Sequence, residues 1–339
     1  MTPPAGHRRA AWLGAGLLAL AAVLLALGAG VGSTGFESLA RMRSDPAAWQ
    51  IVWDIRLPRS LGAWLAGALL GLSGAVAQGL FRNPLADPYL LGSASGAALG
   101  GAVAMAFVGA APGGGGAWPA QLGVTGLAFV GAAGAVLLTL TLARGVQHTL
   151  RLLLAGVIVG VVLGAVRDLV QLAHPRILES MQVFTLGSTA FVGWSACALM
   201  ALALGVCMLG AALMARALDG LTLGEATAAS LGLPLAPLRI GLVVVMALAT
   251  GVAVAQTGLI AFVGLAAPHL VRSIVRITHA AHTALAACMG GALLLAADIL
   301  ARWVLAPQEV AVGVLTALLG GGYLLWRMHR RTRDGGSVL

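Results

Sequence analysis

Long apolar segments alternate with short polar connectors along this chain. Each segment holds about 20 residues, the length that an α-helix needs to cross the ~30 Å hydrocarbon core of a bilayer. We therefore predict an all-α, multi-spanning membrane protein with one transmembrane domain over residues 1–339. The ten predicted spans are 11–31, 60–80, 89–108, 121–143, 149–172, 191–215, 239–258, 260–277, 283–304 and 310–327. Because only the short segment Gln256-Thr257-Gly258 marks the boundary between the seventh and eighth, we expect one of them to be short or tilted.

The composition excludes several classes of function. Hydrophobic residues make up 60% of the chain and charged residues 9%, whereas soluble domains carry about a quarter charged residues. The net charge of +9 comes from arginines that flank the spans, which favours membrane orientation over nucleic-acid binding. The sequence contains no lysine, and a phosphate-binding loop needs one. If ATP drives this protein, another polypeptide binds the ATP.

Arginine placement predicts the orientation. Arginines cluster before the first span and after the tenth, and arginine-rich ends belong in the cytoplasm. An even number of spans places both termini there. Arg56 and Arg59 precede the second span on the outer side, and Arg302 lies at the outer end of the ninth. Arginines on the side that the rule disfavours indicate a function at that surface.

Two spans carry ionisable residues near their outer ends. In the fifth, Arg167 and Asp168 follow a run of glycines at four-residue spacing. Ionisable residues in a span usually face a cavity or a partner, so these two either line a water-filled pathway or pair with each other. In the ninth, Asp298 and Arg302 are four residues apart, which allows them to pair along one helix.

Two polar connectors stand out on the inner side. NPLADP at 83–88 contains two Asx-type turn formers and two prolines. Irregular backbone at membrane depth is tolerated only where it is buried in protein or lines an aqueous cavity. The longest inner segment, 217–238, contains a predicted short helix over 225–231, which is either a docking element or a simple connector.

Several motifs occur in one order from about residue 50 onward. They are RLPR at 56–59, GALLGLSGAVAQ at 67–78, NPLADP at 83–88, LLGSASGA at 90–97, GLIAFVGLAAPHLVR at 258–272, AADILAR at 296–302 and EVAVGVLTALLGG at 309–321. This arrangement resembles the FecCD-type permeases, the membrane subunits of ABC importers for vitamin B12, haem and iron–siderophore complexes. The chain departs from the family's usual pattern at Ala311, where a proline is common.

The resemblance implies a type II ABC importer permease architecture and a set of partners. Two copies would form a homodimer around a central pathway in the bacterial inner membrane. Two ATP-binding subunits would bind its cytoplasmic face and hold the ATP and Mg²⁺, while this chain binds no cofactor. A periplasmic substrate-binding protein would dock on the outer face.

The resemblance also implies roles for individual residues. The expected docking residues for the binding protein are Arg56, Arg59 and Arg302. The expected cytoplasmic gate consists of Asn83, Pro84 and Leu85. The expected coupling element for the ATPase contains Gly224, Glu225, Ala228, Leu231 and Gly232.

The cargo is less closely defined than the class. Arg167, Asp168 and Arg176 lie near the outer end of the fifth span, and the two arginines offer positive charge to an anionic cargo. Haem is favoured, with a ferric siderophore or cobalamin as alternatives. A secondary transporter is the main rival class, but it would need carboxylates in the middle of its spans. An intramembrane enzyme is disfavoured because no H-E-x-x-H motif occurs.

Overall fold

The computed structural model describes residues 5–32, 35–36, 46–107, 118–143 and 149–333. Its helices are α1 (Ala5–Gly30), α2 (Pro46–Ile51), α3 (Leu57–Leu80), α4 (Ser93–Phe107), α5 (Trp118–Leu142), α6 (Thr149–Ala173), α7 (Leu178–Leu186), α8 (Trp194–Thr222), α9 (Glu225–Ser230), α10 (Leu235–Thr257), α11 (Val263–Ile274), α12 (His279–Trp303) and α13 (Val312–Arg333). A π-helical turn joins α2 to α3, and strands β1 (Val31–Gly32) and β2 (Gly35–Phe36) pair antiparallel.

The helices agree with the predicted spans. Each of the ten spans coincides with one helix, and in the described part of the chain seven helical stretches are long and apolar enough to cross a membrane. Helix α11, which matches the eighth span, has only 12 residues, so the expectation of a short seventh or eighth span is confirmed. Helix α8 continues to Thr222, so the inner connector predicted at 217–238 is helical over its first residues.

Helix α3 runs through the middle of the bundle and is buried along most of its length. Helices α8, α10, α11 and α12 pack around it. At Gly71, a Cβ atom would lie 2.2 Å from the carbonyl oxygen of Ala286 on α12, which is far inside van der Waals contact. Small residues allow helix backbones to approach this closely. The glycines of the second span therefore serve helix packing.

The backbone between α10 and α11 leaves helical geometry. Phe262 has a φ of 69°. The N–H of Leu259 donates to the carbonyl of Phe184 at 3.0 Å, and the N–H of Ser188 donates to that of Thr257 at 2.8 Å. These bonds join the end of α10 and the connector to α7 and the residues that follow it. The irregular backbone is thereby satisfied by protein, as membrane-embedded backbone must be.

The bundle has two opposite faces. We call the one with the start of α1 the terminal face: a Cβ on Gly6 would lie 3.7 Å from the carbonyl oxygen of Arg276, and Pro84 lies nearby. The other, the far face, carries the end of α1, the start of α3 and the end of α12. Helices α1 and α6 lie at the periphery and expose apolar side chains such as Val23 and Val161, which suits contact with lipid.

Candidate functional site

Four charged side chains meet on the far face, where α3, α12 and the connector before α13 come together. Nε and Nη2 of Arg59 each donate to Oδ1 of Asp298 at 3.2 Å, and Nη1 donates to Glu309 at 2.8 Å. Nη2 of Arg302 donates to the other carboxylate oxygen of Asp298. The hydroxyl of Thr189 also donates to Oδ1. Asp298 is thus shared by two guanidinium groups.

This far-face cluster is buried and electrically balanced. Asp298 is 0% exposed and Arg302 is 1% exposed, while the side chain of Glu309 keeps 30% of its surface accessible. Two positive and two negative charges cancel, and buried ions are tolerated when they are paired and hydrogen-bonded. Arg302 also donates to Oγ of Ser60 at 3.1 Å and to the carbonyl of Gly28 at 3.0 Å. The cluster therefore ties the end of α1 to α3 and α12.

The three predicted docking arginines all lie on the far face. The structure joins Arg59 and Arg302 in one cluster and confirms the predicted pairing of Asp298 with Arg302. Arg56 lies apart, with Nη1 at 3.5 Å from carbonyl oxygens at the end of α1. Arg56 and Arg59 are each 8% exposed, so little of either side chain reaches the surface of the single chain. Their docking role stays a prediction.

The predicted gate loop is a pair of side-chain-capped turns. Oδ1 of Asn83 accepts the N–H of Leu85 at 2.9 Å, and Oδ1 of Asp87 accepts that of Tyr89 at 2.8 Å. Burial raises the pKa of the Asp87 carboxyl, against the opposing effect of the Tyr89 N–H. The predicted turns are confirmed. Pro84 and Leu85 are exposed on the terminal face, and their gating role stays a prediction.

The predicted coupling element is the short helix α9. Gly224 and Gly232 bracket it with φ values of 103° and 77°, which glycine adopts without strain. Ala228 is fully buried, whereas the side chain of Leu231 is 64% exposed. The side chain of Glu225 lies outside the described part of the structure. The element thus combines a fixed helix with an apolar side chain on its surface.

The predicted pathway residues are not gathered into one site. Nη2 of Arg167 donates to Oδ1 of Asp168 at 2.7 Å, which bears out the mutual ion pair that the sequence left open. Nη2 of Arg176 lies 3.4 Å from the carbonyl oxygen of Ala106, at the end of α4. Among the described residues, no hydrogen bond or ion pair joins Arg176 to Arg167 or Asp168.

Sequence reasoning missed some members of these sites. Thr189 gave no signal, because its contact with Asp298 spans 109 residues of chain. Glu309 was noted only as the first residue of a motif, although a carboxylate beside a span end is a natural partner for an outer arginine. A cleft of about 130 Å³ between α5, α7 and α10 was also missed; there Nε2 of Gln256 donates to Oγ1 of Thr125 at 2.8 Å.

Comparison with known proteins places the chain in a family. The sequence model of the FecCD transport family matches residues 17–330. The chain belongs to this family. Its FecCD relatives include the hemin transport system permease protein HmuU of Yersinia pestis, 39% identical over 93% of this chain and 95% of that protein. The vitamin B12 import system permease protein BtuC of Salmonella paratyphi A is 37% identical over 96% and 97%.

Solved structures confirm the FecCD architecture. A metal-chelate type ABC transporter in an inward-facing conformation matches with a TM-score of 0.82 and 28% identity, over 93% of this chain and 98% of that one. PsaBC from Streptococcus pneumoniae, solved with a Fab, matches with a TM-score of 0.56 and 16% identity, over 85% and 92%, and shows the shared fold. The predicted type II importer permease fold is correct.

The far-face cluster makes a prediction about stability. Replacing Asp298 with alanine leaves two buried guanidiniums without their shared carboxylate, which we expect to destabilise the protein by about 3–5 kcal/mol. Thermal unfolding of the purified chain in detergent measures this loss. The matched control is Asp168→Ala, which removes the partner of another arginine at an exposed position, with an expected cost of about 0–1 kcal/mol. Equal losses in the two variants would contradict the structural role of the cluster.

Proposed function

We propose that this chain is the transmembrane permease subunit of an ATP-driven importer that moves haem into the bacterial cytoplasm. The observation that carries the proposal is the 39% identity to the hemin permease HmuU over nearly the full length of both chains. The likeness to a metal-chelate type transporter supports the same class of cargo. Cobalamin is the second candidate, because BtuC is 37% identical over a similar length. A ferric siderophore is the third.

The proposed complex contains two copies of this chain in the inner membrane, with the terminal face and both termini in the cytoplasm. The clustering of arginines at both ends of the chain supports this orientation. Two ATPase subunits bind the terminal face and hold the ATP and Mg²⁺, since a chain without lysine has no phosphate-binding loop of the usual kind. A periplasmic binding protein delivers the cargo to the far face.

Docking of the binding protein is assigned to the far-face arginines. Arg59 uses both edges of its guanidinium, one on Asp298 and one on Glu309. The Glu309 edge is the more accessible, because that carboxylate is partly exposed. A carboxylate of the binding protein that replaces Glu309 there would make a bidentate, orienting contact. Arg302 would act through Asp298, which holds both arginines in place.

Coupling to ATP hydrolysis is assigned to α9. The exposed side chain of Leu231 offers an apolar contact to the ATPase, and the burial of Ala228 anchors the helix to the bundle. Helix α9 packs against α8, which spans the membrane. Movement of the ATPase pair would therefore displace α9, and α9 would transmit this displacement to α8 and the other spans.

The docking role predicts an effect on association. We expect Arg59→Gln to weaken binding of the partner binding protein about tenfold, ~1.4 kcal/mol, and to reduce the salt dependence of the association rate. Arg59→Lys retains the charge but loses the bidentate geometry, so its loss should be smaller. Surface-based kinetics with the permease in nanodiscs measure both. An unchanged affinity in an Arg59→Gln protein that still melts cooperatively would refute the role.

The coupling role predicts an uncoupled variant. Proline at Ala228 removes the N–H that donates to the carbonyl of Gly224 at 2.9 Å and disrupts α9. We expect uptake to fall by at least about tenfold in the assembled complex, while the ATPase subunits continue to hydrolyse ATP. Ala228→Gly keeps the N–H and should retain most of the uptake, at a cost of about 1 kcal/mol in helix propensity. Normal uptake by the proline variant would count against α9.

Transport assays test the proposed function itself. Proteoliposomes with this permease, its ATPase and its binding protein should accumulate haem only when ATP is supplied, and should exclude cobalamin and ferric siderophores. Accumulation of cobalamin instead of haem would identify cobalamin as the cargo and leave the assignment to the ATP-driven importers unchanged. Uptake driven by an ion gradient, with the ATPase left out, would overturn the class as well.

A further inference from the structure

An open cleft of about 740 Å³ lies on the terminal face, between the first turns of α1 and the end of α11. Arg9 lines it from α1, while Arg272 and Arg276 line it from α11 and the connector that follows. None of its lining residues in the described part of the chain is acidic. The cleft therefore concentrates positive charge at one end of the bundle.

Among the described residues, the carboxylates of the terminal face are engaged elsewhere. On the terminal face, the carboxylate of Asp219 is engaged by His279 at 2.6 Å, and that of Asp87 caps its own turn. Arg272 donates through Nη2 to the side-chain oxygen of Gln78, a neutral partner. Its Nε is buried and has no hydrogen-bond partner among the described residues. The guanidinium of Arg272 is partly buried and keeps an unfilled donor besides its bond to Gln78, which favours the approach of an anion.

The surroundings of the cleft place it at the membrane surface. Helix α1 is peripheral, and Trp12, one turn beyond Arg9, is 75% exposed. Tryptophan at the end of a span favours the headgroup level of the bilayer. Ile274 lines the cleft and is itself 54% exposed. The cleft thus combines three arginines with an exposed apolar side chain, which suits an amphiphile better than a free ion.

We propose that this cleft binds the headgroup of an anionic phospholipid from the adjacent leaflet. The phosphate would contact the guanidiniums of Arg9, Arg272 and Arg276, and an acyl chain would follow Ile274 and the apolar surface of α1. Basic pockets between spans recognise acidic lipid headgroups in this way. The cleft does not include Arg167, Asp168 or Arg176, the predicted pathway residues, but Pro84 of the predicted gate also lines it.

Lipid titrations on the intact, detergent-purified protein test this site, with native mass spectrometry as the readout. Phosphatidylglycerol and cardiolipin should bind at least about tenfold more tightly than phosphatidylcholine. The double variant Arg9→Gln/Arg276→Gln removes two exposed arginines and should weaken phosphatidylglycerol binding about 30-fold, with phosphatidylcholine unchanged. The control Arg8→Gln/Arg151→Gln removes two exposed arginines that do not line the cleft and should change binding less than about threefold.

Several outcomes would overturn the proposal. Equal affinities for phosphatidylcholine and phosphatidylglycerol would mean that the headgroup charge does not determine binding. Equal losses in the cleft variant and the control would mean that net charge, not the cleft, attracts the lipid. Displacement of phosphatidylglycerol by equimolar glycerol 3-phosphate would identify a site for free phosphates. Loss of ATPase-subunit binding with lipid binding intact would identify a protein interface.

Discussion

The pairing of Arg59 and Arg302 with one buried carboxylate, Asp298, is the constraint on which the far half of the bundle depends. A lone charge in such a position would be very costly, because burial removes it from bulk water. With Glu309 as the fourth member, the charges cancel and each has a partner. This one network holds together the backbone at the end of α1, the start of α3 and the end of α12, so the far-face surface is fixed by buried contacts.

The same network requires close helix packing. Helices α3 and α12 approach closely because Gly71 leaves no side chain between them, and Asp298 and Arg59 lie further along the same two helices. Hydrophobic burial drives helix association only weakly in lipid, so small residues and polar bonds carry specificity. Glycine contacts and the charge network therefore act together to hold α3 at the centre of the bundle.

The two faces of the bundle differ in how far the charges of their arginines are neutralised by carboxylates. The far-face cluster neutralises its arginines internally and leaves one carboxylate partly exposed. The terminal face leaves arginines in an open cleft. A neutral, rigid surface suits reversible docking of a soluble protein. A positive surface at the other end suits acidic headgroups and agrees with the arginine bias that orients membrane proteins.

The sequence by itself determined the ten spans, the capped turns at Asn83 and Asp87, and the Asp298–Arg302 pair. Each of these depends on residues close in the chain, whether as the length of an apolar run, an i to i+2 side-chain bond or an i,i+4 helix pair. Only the tertiary structure decided that Arg59 meets Asp298, 239 residues away, and that Arg272 meets Gln78, 194 residues away. Local patterns cannot fix such partners, because they arise only when α3 is placed between α12 and α11.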